Sequence, residues 1–174
     1  MIDFFFFFVI ALTFNINSYS QSGKKSDPVA ISLEIIGKGT TDYYKESANG
    51  YFASATVTNT RDTTIRFWVM SCSWPGVNFL SSNNSVYFIH RGCDNNSPDL
   101  IELAPGKSVS FYGIFTGEAK SFAGKKVSVG FVYFDNMKDL SEAASSKEQV
   151  KKFKTYWSNS VELEDNLFTY KKED

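Results

Sequence analysis

The sequence predicts an all-β fold, a two-layer β-sandwich with a short helical insertion before its last strand. Three observations carry that reading. Seven or eight short apolar runs, rich in β-branched and aromatic residues, recur at turn-marked intervals along the 174 residues. One of them, Tyr51 to Thr58, alternates with period two. Only the stretch from Met137 to Phe153 spaces its apolar residues as a helix does.

Taken in order, Val29 to Ile36 is a first strand, ended by Gly37-Lys38-Gly39 and followed by a polar stretch, residues 40–50. In Tyr51 to Thr58, Tyr51, Ala53, Ala55 and Val57 share one face and Phe52, Ser54, Thr56 and Thr58 the other, the mark of a half-buried strand. Asn59-Thr60-Arg61-Asp62 is a turn, because Asn and Asp side chains bond the backbone two residues on. The returning run Ile65 to Trp74 is apolar on both faces: Ile65, Phe67 and Val69 on one, Trp68, Met70, Cys72 and Trp74 on the other. It therefore reads as a central strand packed on each side, with Trp68 deeply buried, and Pro75-Gly76 closes it. Val86 to Ile89 is a short strand, and Leu100 to Leu103 leads into Pro105-Gly106, whose order fits a type II turn. Ser108 to Phe115 and Val127 to Phe134 are further strands. Met137, Leu140, Ala144 and Val150 mark the helical insertion, among the good helix formers Glu142, Ala143, Glu148 and Gln149. Tyr156 to Leu163 returns as the last strand, and residues 164–174 read as a frayed tail. With no repeat and no domain-sized linker, residues 29–163 form one domain, and Greek-key, immunoglobulin-like wiring is the commonest solution for such a strand count.

The first 20 residues read as a signal peptide. The apolar run Phe4 to Phe14 spans only about half of a ~30 Å hydrocarbon core at ~1.5 Å per residue, too little for a membrane anchor. The small-x-small step Ser18-Tyr19-Ser20 marks a cleavage site, although Asp3 stands where a positive charge is usual. Residues 21–28 then form a flexible mature N-terminus. Export implies an oxidising compartment, so Cys72 and Cys93 are expected as a disulfide in a secreted or periplasmic protein. Of 18 basic and 19 acidic residues the leader holds only Asp3, so the mature chain is formally neutral. That balance argues against nucleic-acid binding, which needs a basic face. Once the leader is removed no membrane span is expected, and neither is an oligomer.

Two local patterns resemble those of immunoglobulin-like modules in secreted bacterial proteins. One is Ala55-Thr56-Val57-Thr58-Asn59-Thr60-Arg61-Asp62-Thr63-Thr64-Ile65, a strand, a turn and a returning strand. The other is Leu103-Ala104-Pro105-Gly106-Lys107-Ser108, a strand opened by a Pro-Gly turn. Proteinase inhibitors of the BsuPI type carry similar pieces, which implies a binding or inhibitory β-sandwich. The two cysteines and the helical insertion depart from that inhibitor pattern. The segments Met70-Ser71-Cys72-Ser73-Trp74, Gly92-Cys93-Asp94-Asn95-Asn96 and Tyr156-Trp157-Ser158-Asn159 more closely resemble uncharacterised exported bacterial immunoglobulin-like β-sandwich proteins, over residues 30–163. That likeness implies a fold and no activity.

For chemistry the chain offers little. His90 is the one histidine, no Gly-x-Ser-x-Gly elbow or phosphate-cradling glycine loop is present, and no catalytic residue is assigned. A metal set of Met70, Cys72, His90 and Cys93 would suit copper through thioether, thiolate and imidazole, but it needs both thiols reduced. No cofactor is expected. The aromatic residues around the cysteines suggest a partner surface on loops 74–85 and 91–99, with Trp74, Phe79, His90 and Arg91 as its candidates. The expected function is binding to a protein partner, as an inhibitory or envelope-associated module; a copper- or other metal-binding protein using Met70 and His90 is the alternative, and an enzyme of unknown reaction the third. Intact-mass measurement of exported material should show a chain beginning at Gln21; a mass retaining residues 1–20 would refute the leader.

Overall fold

The computed structural model describes residues 27–43, 46–90, 95–117, 124–164, 166 and 169–170. In chain order the strands are β1 (Val29–Tyr43), β2 (Glu46–Asn59), β3 (Ile65–Met70), β4 (Phe79–Ser81), β5 (Tyr87–Ile89) and β6 (Pro98–Leu103). There follow β7 (Ser108–Thr116), β8 (Lys126–Val127), β9 (Val129–Val132), β10 (Thr155–Trp157), β11 (Val161–Glu162) and β12 (Thr169–Tyr170). Three short helices interrupt them: α1 (Trp74–Val77), α2 (Met137–Ser145) and α3 (Lys147–Val150). The fold is all-β, as expected. Among the described residues no helix is long and apolar enough to cross a membrane.

β1 and β2 form a long antiparallel hairpin, from Val29 opposite Asn59 to Tyr43 opposite Glu46. The first strand therefore runs past Gly37-Lys38-Gly39 instead of stopping there. A register shift between Ile35 and Gly37 makes Ile36 the extra residue, and a bulge absorbs one residue without ending the ladder. Glycine lacks a side chain to pack but keeps both backbone groups, so β2 still pairs with it. The hairpin is the middle of a five-stranded sheet of order β12-β1-β2-β7-β5. β12 lies parallel to β1 at Lys38 and Gly39, so part of the expected tail is a strand. An edge strand offers unpaired N–H and C=O groups, and β12 is too short to announce itself in the sequence.

Among the described residues there are also three smaller sheets, β10-β9-β4, β11-β8 and β3-β6. The main core draws on both sides: Leu33, Ala55, Val57, Phe111 and Phe115 from the large sheet, and Phe67, Phe79, Val127 and Phe131 from the small ones. Phe67 meets Phe131 edge-on at 5.3 Å and Phe79 meets Phe111 at 5.2 Å, the geometry aromatic quadrupoles favour. A second cluster gathers Val132, Phe134, Leu140, Ala143 and Val150 under α2 and α3. Asn136 caps α2 by accepting the Asp139 N–H at 2.9 Å, and Ser146 caps α3 in the same way through Gln149. Ala143 rather than Ala144 is the buried alanine of α2, one position from the sequence reading.

β3 explains its two-sided apolarity. Ile65, Phe67 and Val69 enter the main core, while Trp68 and Met70 pack on the helical cluster. Trp68 is thus half-buried against the helical cluster rather than deeply buried beside the cysteines. The Pro105-Gly106 turn forms as expected: Lys107 N–H reaches Ala104 C=O at 3.0 Å, and Gly106 takes φ +68°, which type II requires at that position.

Three asparagines use side-chain amides where strands lack a neighbour. Asn59, 1% exposed, accepts from Arg61 N–H at 2.8 Å and donates to Thr63 C=O and Leu103 C=O. Its own backbone bonds Lys107 and Gly106. Asn78, fully buried, donates to Trp68 C=O at 3.0 Å and accepts from Met70 N–H at 3.2 Å, while its C=O accepts from Val132 N–H. Asn159 does the same on the edge of β1, taking Leu33 N–H at 2.8 Å and giving to Leu33 C=O at 2.9 Å. Asn78→Leu keeps the bulk but strands a donor and an acceptor in the interior, so stability should fall by roughly 2–4 kcal/mol. Asn159→Ala lies where water replaces the amide and should cost about 1 kcal/mol or less. Equal shifts in denaturation midpoint for the two variants would rule out burial as the cause.

Candidate functional site

Two of the four residues expected to display a partner surface, Trp74 and Phe79, are buried. Trp74 is 5% and Phe79 2% exposed, and both rings belong to the main core. The reason is α1, a single turn with Pro75 in its first positions, which folds the loop back over the sheets. There Trp74 meets Phe79 and Phe88 edge-on at 5.5 Å. His90 leans on Trp74 at 5.4 Å, with its Nδ1 buried and without a hydrogen-bond partner among the described residues. Arg91 lies outside the described residues.

The alternative metal set is divided by the same packing. Met70 sits with Trp68 and Leu80 on the helical cluster, whereas His90 sits on Trp74 of the main core. Cys72 is not a free thiol, and Cys93 lies outside the described residues. The chain just beyond Cys93 is nevertheless stitched to Cys72. Asn96 Oδ1 accepts from Cys72 N–H at 3.2 Å and Ser73 N–H at 3.1 Å, and Ser71 N–H donates to Ser97 C=O at 2.8 Å.

A different site forms at the other end of β3. The Asn59 turn delivers Arg61 and Thr63; Asn59 Oδ1 holds the Arg61 N–H and thereby fixes the direction of the backbone. Thr60 ties the entering chain to this turn, its N–H donating to Pro28 C=O at 3.2 Å and its hydroxyl to Asp27 C=O. From the far side of the small sheets come Tyr133 and Asp135, just after β9, and Lys154 and Tyr156, at β10. Together these residues line a cleft of about 480 Å³, floored by Ile65.

Its charges are unevenly matched. Lys154 Nζ pairs with Asp27 Oδ1 at 2.7 Å and stands 4.6 Å over the Tyr156 ring. The hydrogen bond to Asp27, followed by one to Tyr156, raises the Lys154 pKa above the ordinary lysine value. Tyr133 donates its hydroxyl to Arg66 C=O at 2.7 Å. Burial, then the Asp135 charge and Tyr156, push the Tyr133 pKa above the usual phenol value, and Arg61 pulls the other way. Arg61 itself is half-buried, its Nε shielded from water and without an acceptor among the described residues. The arrangement offers a hydrogen-bonding cation, two phenolic walls and a carboxylate around one open space, which suits recognition of a polar ligand.

None of Arg61, Tyr133, Asp135, Lys154 and Tyr156 was singled out for function from the sequence. The signal for Arg61 was the Asn59 turn, which pointed only to local geometry. Lys154 lay in a basic stretch that reads as solvated surface. Compared with known proteins, the chain matches no family model, no curated protein and no solved structure.

Tyr133 makes the cleft testable by pH. Its raised pKa means the unfolded phenol ionises near its ordinary value of about 10 while the folded one keeps its proton. The stability this gives is intact below that pH and lost as pH rises through the folded value. Tyr133→Phe loses the Arg66 bond, at about 1 kcal/mol near neutrality, but has no phenol to titrate here. The wild-type advantage in melting temperature should therefore shrink as pH rises through and above the ordinary phenol value. A constant gap would show that Tyr133 is not perturbed.

Proposed function

We propose that this chain is a secreted or periplasmic binding module, non-catalytic, with immunoglobulin-like sandwich wiring, and that it engages a protein partner through the cleft between Arg61 and Tyr156. The observation that carries the reading is Arg61, a half-buried residue lining a 480 Å³ cleft, whose shielded Nε–H meets no acceptor among the described residues. The volume falls within the ~300–1,000 Å³ typical of small-ligand sites, room for a side chain or chain end of a partner. Packing of the large sheet and the small sheets against one core supports the sandwich. The leader and the absence of a free thiol at Cys72 support export, and a Cys72–Cys93 disulfide completes the picture.

Affinity capture from the native envelope and medium, with the mature protein as bait, tests this. A bait carrying Thr63→Trp fills the cleft without changing charge and should lose the partner while its melting temperature stays near wild type. Capture that survives with the cleft filled would move the site elsewhere. Unreduced protein should show no reactive thiol and the reduced protein two; reactive thiol before reduction would rule out the disulfide.

A further inference from the structure

Arg61 is a cation that the fold half-buries without neutralising. The ion pairs among the described residues engage Arg66, Lys151 and Lys154, and none engages Arg61. A guanidinium partly drawn away from water without an ion pair, and an N–H that meets no acceptor, both raise the energy of the unliganded protein. An oxyanion laid against the planar fork removes both penalties, through short charge-assisted bonds. The backbone beneath it is already set by the Asn59 Oδ1 bond, and the residue lines the cleft.

The surrounding charges select among oxyanions. Lys154 is committed to Asp27 at 2.7 Å and adds no unpaired positive charge. Asp135 lines the same cleft without an ion pair of its own among the described residues; its one bond there is from the neutral Asn136 amide at 2.8 Å. Arg61 and Asp135 thus bring opposite charges to one cleft, with Tyr133 in the same lining. A dianion such as a phosphate ester doubles its attraction to Arg61 and its repulsion from Asp135 alike, but with Lys154 already paired its second charge must give up water with no further cation to offset it. Tyr133 and Tyr156 supply amphipathic walls for the chain that bears the anion.

We infer that Arg61 recognises a carboxylate of the polypeptide partner, presented by its free C-terminus or by an aspartate or glutamate side chain. The inference rests on the cleft being the binding site, and it adds the chemistry that site selects.

Four fluorescent pools of random heptapeptides test it on the full mature protein by anisotropy. The first has free C-termini and no acidic residues; the second has amidated ends and includes Asp and Glu. The third is amidated without acids, and the fourth is the third with one phosphoserine. Binding of the first or second pool at least about tenfold tighter than the third is expected, and which of them wins names the source of the carboxylate. Arg61→Gln should erase that difference, and Arg61→Lys, which keeps the charge and loses the fork, should restore part of it. Asp135→Asn should strengthen the winning pool and admit the phosphopeptides, whereas a purely structural role would weaken both. Equal binding of the third pool, unchanged binding by Arg61→Gln, preference for the fourth pool, or no binding of any pool overturns the inference. Partner capture that is still lost when Thr63→Trp fills the cleft would then leave the binding reading standing alone.

Discussion

Asparagine amides standing in for missing strand neighbours hold this structure together. β3 pairs with β6 along one edge, and its other edge would be left with buried, unmatched backbone groups after Trp68 bonds Phe134. Asn78 supplies an N–H for Trp68 C=O and an oxygen for Met70 N–H, so one side chain reproduces a ladder residue. Its own carbonyl then takes Val132 N–H, joining β3 to β9. A leucine fits the same space but meets none of these groups. In an interior lined by phenylalanine, an unmade backbone bond is among the costliest defects available.

Asn59 has the same logic at the other end of β3, with a consequence for the site. It gathers Arg61, Thr63 and Leu103 through its side chain, and Lys107 and Gly106 through its backbone. The end of β2, the start of β3 and the turn after β6 are thereby fixed to one residue. Arg61 is placed at the cleft by that junction. A binding group on a well-anchored turn gives up less freedom when its partner arrives than one on a loose loop.

The aromatic residues divide between packing and display according to what the backbone does locally. Trp74 and Phe79 flank a Pro-Gly pair, which commonly projects a loop outward. Here Pro75 begins a helical turn instead, Gly76 and Val77 N–H groups bond Ser73 C=O, and both rings are carried inward. Large aromatic rings gain most by full burial, so the segment richest in them became core. The cleft instead took tyrosines, whose hydroxyls tolerate a wet edge.

Features with a local cause were legible in the sequence: the Asn59 turn, the type II turn at Pro105-Gly106, the period-two face of β2, the two-sided apolarity of β3 and the helical insertion after Met137. Each depends on residues within a few positions of one another, where backbone sterics and side-chain periodicity act directly. The apolar run from Phe4 to Phe14 and the cysteine count are features of the sequence alone, and they support export only as a proposal. Tertiary structure decided what sequence distance hides. It continued β1 through its glycines because β2 was there to pair with them, and it set β12 on the open edge of β1. It turned Trp74 and Phe79 inward, and it drew Asp27, Arg61, Tyr133 and Lys154 to one cleft. Those outcomes follow from long-range competition for hydrogen bonds and apolar contact, and no local pattern encodes which distant group wins.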